Sequence, residues 1–318
     1  IMLHRFSRVV AIALACAMAF LSSADELADK GRAVLDKSKA SVVTVRIVIK
    51  MQMSMPNFPS REEEMKSEAT GTIIDPSGLT VMSLNETDPS GMFEDMMGSR
   101  EGFEVKSSIG DLKILQDDGT EISAQVVLRD RDLDLAFIRP AEAPKNPLPA
   151  IDLAKAVTPG LLDPIVTITR LGRVASREHA VSIERVSAIV SRPRTFYVMG
   201  KDPTQTSLGS PALTIDGDAI GLCVMRSIKR GGDSGSSMFG GGDENMIAIV
   251  VPASDILEVA KQAPAAGEEA KEIGVEEPKE EKTEEAPSDG KSEEGEAPKE
   301  DAPSEKPEGE AKPDAPAA

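Results

Sequence analysis

The sequence predicts an all-β protein built as two small barrels. Twelve short β-branched or alternating segments recur along the middle of the chain, and tight-turn residues stand between them. A proline-containing link from Pro140 to Pro149 divides these segments into two groups.

A short amphipathic helix is expected first, because Asp25 to Lys39 places Leu27, Ala33, Val34 and Leu35 among charges. Ser41 to Lys50, SVVTVRIVIK, is the first strand. The first group continues with Ala69 to Ile74, Leu79 to Leu84, Leu112 to Leu115, Ile122 to Leu128 and Leu135 to Ile138. The second runs through Ile165 to Ile168, Ala180 to Val190, Phe196 to Met199, Ala212 to Ile215, Ala219 to Val224 and Met246 to Val251. Asp75-Pro76-Ser77-Gly78, Asp117-Asp118-Gly119 and Asp216-Gly217 supply hairpin-turn chemistry. Met51 to Lys66 and Thr87 to Phe103 are polar, Met-rich and without period, and are read as surface loops. Met51, Met53 and Met55 alternate, as thioether ligands of a soft metal would; packing or groove-covering methionines are the simpler reading, and no metal or cofactor is expected.

Composition sets the surroundings. The net charge of −18, from 54 acids against 36 bases, argues against nucleic acid or an anionic membrane surface as partner. Basic residues His4, Arg5 and Arg8 precede the apolar run Val9 to Leu21, and small residues end at Ala24, so residues 2–24 are expected to be a secretory signal. Localisation is then periplasmic or secreted, with no transmembrane span in the mature protein. Cys16 falls in that signal, and Cys223, in an apolar strand, is expected to be a buried structural thiol. From Gln262 to Ala318 the chain is Glu, Lys, Pro and Ala, with almost nothing to bury, and a disordered acidic tail is expected. The domain plan is thus 25–261, with barrels at about 41–140 and 150–259, followed by a tail at 262–318.

Several blocks in order carry a resemblance. Ala69 to Gly78, ATGTIIDPSG, resembles a Gly-Ser-Gly-Phe-Ile-Ile-Asp-x-x-Gly strand and turn, and Asp130 to Ile138, DRDLDLAFI, an Asp-x-x-x-Asp-Leu-Ala-Val-Leu strand. Val186-Ser187-Ala188 and Ile249 to Ala253 match two later segments, and Thr206 to Gly221, TSLGSPALTIDGDAIG, looks like the turn, strand and hairpin that present a nucleophile. Together they resemble trypsin-like serine proteases of the HtrA type, which implies a double six-stranded β-barrel. The family's chemistry needs a Ser, a His and an Asp. By resemblance Asp134 matches the acid, Asn85 stands at the His position and Leu208 at the Ser position. Thr206, Ser207, Gly209 and Ser210 surround the oxyanion region, with Thr206 and Ser210 replacing glycines. A catalytically inactive module that binds an extended peptide or partner protein is the implied function.

Two competing readings remain open, an endopeptidase with a displaced serine and a metal-handling or structural envelope protein. Gly232-Asp233-Ser234-Gly235 spells a nucleophile tetrapeptide but lacks the following Gly-Pro and strand, and is read as a hairpin loop. His179, the one histidine after the signal, is expected on an exposed turn. The acidic tail stands where the family usually continues into a PDZ domain. Homo-oligomer formation, often driven by N-terminal segments in the family, is left undecided by the sequence.

Overall fold

The computed structural model describes residues 26–55, 58–90, 104–200, 207–227, 246–265, 267–268 and 270–273. A helix, α1 at 26–38, leads into β1 (Val42–Met55), β2 (Phe58–Ile73), β3 (Thr80–Ser83), β4 (Glu104–Leu115), β5 (Glu121–Asp130) and β6 (Leu135–Pro140). These pair antiparallel in the order β5-β4-β1-β2-β3-β6, and β6 returns to β5 to close the ring. The second group is β7 (Pro164–Arg170), β8 (His179–Val190), β9 (Phe196–Met199), β10 (Pro211–Leu213), β11 (Ala219–Ser227) and β12 (Met246–Pro252). It closes as β10-β11-β12-β9-β8-β7 and is followed by α2 (Ala253–Ala260). All twelve expected strands are present, and the two closed six-stranded barrels are the predicted architecture.

Period-two alternation explains why the barrels also pack on each other. On β6, Ala136 and Ile138 enter the interior of the first barrel, whereas Leu135 and Phe137 join Val166, Leu213, Val224 and Val251 in a core shared by both. That shared core also takes Val34 from α1 and Ile256 from α2, which is why both helices lie where they do. The second barrel's interior is a smaller set around Ile165, Val186, Tyr197, Ile220 and Cys223. Each such fully buried aliphatic or aromatic side chain contributes about 1.5–3 kcal/mol. The turns behave as their residues require. Gly78, Gly119 and Gly217 have φ of +90°, +82° and +84°, and their N–H groups close turns onto Asp75, Gln116 and Thr214.

Two expectations are corrected. Met51 to Lys66 is not a loop: β1 runs on to Met55 and β2 starts at Phe58, with Met51 opposite Glu63 and Met53 opposite Arg61. β4 pairs along the other edge of β1, Met51 opposite Ser107. A ladder satisfied on both edges supports strands whose outer face is charged, so polarity there does not signal a loop. Met51 is buried and Met53 packs against the interior of the first barrel, so these thioethers fill a core. Of Thr87 to Phe103, residues 91–103 lie outside the described residues.

The second correction concerns the tail. Past Lys261, where composition placed the end of the folded part, Pro264 accepts a hydrogen bond from Arg139 Nε at 2.9 Å. A further strand, β13 (Lys271–Ile273), runs parallel to Leu128–Asp130 of β5. Ile273 packs on the shared core, and Glu272 pairs with Arg129 at 3.5 Å. One apolar residue and an unfilled strand edge suffice to order this stretch, which an average over composition misses.

Candidate functional site

The seam between the barrels gathers most of the residues singled out above. Asp134 stands just before β6 with φ +58°, and its carbonyl accepts the Leu84 N–H at 2.9 Å. Its carboxylate accepts the Ser83 hydroxyl at 3.0 Å and the backbone N–H of Met225 on β11. Burial pushes this carboxyl up to about 7, and the nearby Glu86 charge adds to the effect; the Ser83 and Met225 hydrogen bonds and Arg226 act against it. Asn85 sits in the 3-10 turn Leu84–Glu86 that follows β3. It is half-buried and makes no hydrogen bond among the described residues. The side chain that meets Asp134 is therefore Ser83, two positions earlier.

Residues 207–210 approach the same seam from the second barrel. Leu208 is buried, only 4% exposed. Gly209 adopts φ +80°, and a Cβ there would stand 2.1 Å from the Thr70 carbonyl oxygen and 3.5 Å from Met82 Cα, so this backbone lies directly against β2 and β3. Thr72 Oγ1 donates to the Gly209 carbonyl at 2.8 Å. The Gly209 N–H goes to the Cys223 carbonyl and the Ser210 N–H to the Ser207 carbonyl, at 2.8 and 3.1 Å. Both amides are consumed within the chain and fix the turn against its own barrel. Ser207 is half-buried, and Thr206 lies outside the described residues, as do Cys16 and Ser234.

Ser210 is fully buried and its hydroxyl has no partner among the described residues. Such a group carries its desolvation cost uncompensated, so Ser210→Ala is expected to raise stability by about 1 kcal/mol, read as a higher urea midpoint at unchanged m-value. Cys223 is buried, as expected of a structural thiol, and burial pushes its thiol up to about 12.

His179 is not on an exposed turn. It begins β8 opposite Arg170, with its ring against the Arg170 guanidinium at 2.8 Å and near the carbonyl oxygens of Lys39 and Val42 at 2.9 and 3.1 Å. The side chain is only 10% exposed. Antiparallel pairing with β7 turns it toward the first barrel, and none of its partners is Asp134. Arg170 also reaches Thr44 and Asp117, and Arg177 makes a two-pronged pair with Glu68 at 3.0 and 2.6 Å, so polar links join the barrels on this side. Beside these links lies a cleft of about 200 Å³ that includes Thr70, Glu86, Arg170 and Gly172. Ser83, Thr72 and Glu86 escaped the sequence reading, since an isolated hydroxyl or acid next to Asn85 carries no motif.

Among the described residues no group of three or more His, Cys, Asp or Glu is placed to hold a metal ion. No described helix is long and apolar enough to cross a membrane.

No protein-family model matches the sequence, and comparison with curated proteins finds no match. Solved structures do match. "HtrA-type protease AlgWS227A with decapeptide" is similar over 73% of this chain and 66% of its own, with 18% identity and a TM-score of 0.50. The fold is trypsin-like. A second structure, "HtrA-type protease AlgWS227A with tripeptide", aligns over 72% of this chain and 62% of its own, at 16% identity and a TM-score of 0.45. The chain thus spans just under two thirds of the length of these structures.

Proposed function

We propose that this trypsin-like protein is exported, lacks peptidase chemistry, and uses the seam between its barrels to hold an extended peptide or a segment of a partner protein. The observation that carries this reading is the company Asp134 keeps. A carboxylate that orients a catalytic imidazole must be charged and hydrogen-bonded to that ring. Asp134 instead meets a serine hydroxyl, and its carboxyl is pushed up to about 7. Leu208, at the position the resemblance gives the nucleophile, has no nucleophilic atom. The solved structure with the similar fold was obtained with a decapeptide, which supports peptide binding as the retained activity.

A displaced serine has little in its favour at Ser210, whose oxygen is sealed from solvent. The expected result is no labelling by a fluorophosphonate probe and no hydrolysis of reduced, carboxymethylated casein, together with saturable casein binding by the full chain. Labelling that disappears in Ser207→Ala or Ser234→Ala would establish the endopeptidase instead. Casein that neither binds nor is cleaved would remove the peptide-binding reading.

A further inference from the structure

Among the described residues, the inter-barrel cleft contains one polar side chain without a partner. Arg170 Nε donates to Thr44 Oγ1 at 3.2 Å, and the Arg170 amide donates to Thr70 Oγ1 at 3.1 Å. The guanidinium is further held by Asp117, and Glu68 is engaged by Arg177. Glu86, in the same cleft, has neither a hydrogen bond nor an ion pair among the described residues. Its carboxyl is largely removed from water, and that burial pushes it above the ordinary carboxylate range.

An unpaired carboxyl in a cleft of about 200 Å³ calls for a cation small enough to enter it. With Arg170 on the wall of so small a cleft, a compact ammonium enters more readily than a bulkier planar guanidinium, which would meet that wall. We propose that this cleft is a subsite for the lysine side chain of a bound peptide, with Glu86 as its counter-ion and Thr70 and Gly172 on its walls. The alkyl stem would lie along Ala69 and Leu171, both half-buried, and the ammonium would donate charge-assisted hydrogen bonds to Glu86. This subsite rests on the peptide-binding reading above and adds to it the kind of residue selected.

The test uses the full chain and butylammonium as a lysine mimic, with butanol and butylguanidinium as comparisons, followed by NMR. Saturable shifts at Thr70, Leu171 and Gly172 are expected with butylammonium, weaker shifts with butylguanidinium and none with butanol. Glu86→Gln, nearly isosteric, should weaken butylammonium binding by about tenfold or more with the circular dichroism spectrum unchanged. Equal response to butanol, or equal affinity in Glu86→Gln, overturns the subsite.

A second arm measures carboxymethylated casein against the same protein, before and after acetylation of the casein lysines. Weaker binding after acetylation, or to Glu86→Gln, supports the proposal. Casein that binds both forms and both proteins alike leaves peptide binding standing and removes the lysine subsite. Butylammonium binding at Glu86 without any casein binding keeps the cation site and removes the peptide reading.

Discussion

Asp134→Asn is expected to stabilise the protein at pH 8 and to leave it nearly unchanged at pH 4. In the folded protein the carboxyl is pushed up to about 7 by burial, whereas in the unfolded chain it titrates near 3.8. Below about 3.8 both states carry the proton and the group costs nothing. As pH rises through this window the unfolded chain releases its proton first, so the native state binds more protons and stability falls; above about 7 the whole penalty is felt. Ionising the group costs on the order of 4 kcal/mol, taking 1.36 kcal/mol for each pH unit between the two values. An asparagine keeps an acceptor oxygen for Ser83 and Met225, never ionises, and turns a donor toward Glu86. The variant should melt about 5–15 °C higher than the parent at pH 8, with the difference shrinking toward zero by pH 4. A parallel pair of stability curves across that range would show that Asp134 is already ionised and well paired in the native state, as a working triad requires.

Gly209→Ala should be the most damaging single substitution in the seam. The left-handed backbone by itself costs a non-glycine residue about 1–2 kcal/mol. The added Cβ would also stand 2.1 Å from the Thr70 carbonyl oxygen, and the Thr72 and Cys223 hydrogen bonds leave the turn no direction in which to withdraw. The expected loss exceeds about 4 kcal/mol, seen as a large drop in urea midpoint or as failure to fold. Gly119→Ala is the matching control. Its φ is almost the same at +82°, but nothing lies within 4 Å of its Cβ, so the loss should be about 1 kcal/mol. Equal costs at the two sites would mean that the close contact between the 207–210 turn and the first barrel does not form.

The strands were legible because their signal is local. SVVTVRIVIK and DLAFI pair β-branched or aliphatic residues with a period of two, and Asp-Gly and Pro-Ser-Gly place the turns whatever lies across the sheet. The hairpin extension past Lys50 was not legible, because charged residues at 61–66 are tolerated only where β1 is paired on both edges. The short β13 was hidden for a similar reason: Lys-Glu-Ile has little strand character until β5 offers it an edge. At the seam, Asp134 could be placed from its Asp-Leu-Ala context, but its partner could not. The turn at Leu84–Glu86 leaves Ser83 facing the carboxylate, and only the fold could show that Asn85 makes no hydrogen bond there among the described residues.

The sequence by itself determined the two barrels and the succession of their strands along the chain. Those follow from alternation, turn chemistry and residue identity, all of which act over a few neighbours. The tertiary structure alone decided that Asp134 answers to Ser83, that Gly209 is pressed against Thr70, that His179 is held against Arg170 in the inter-barrel links, and that Glu86, half-buried, has no partner among the described residues. Most of these depend on groups far apart in the chain meeting at the seam, as Ser83 and Asp134 do at a separation of 51 and His179 and the Lys39 carbonyl at 140. Burial and pairing there are properties of the packed pair of barrels and of no single segment.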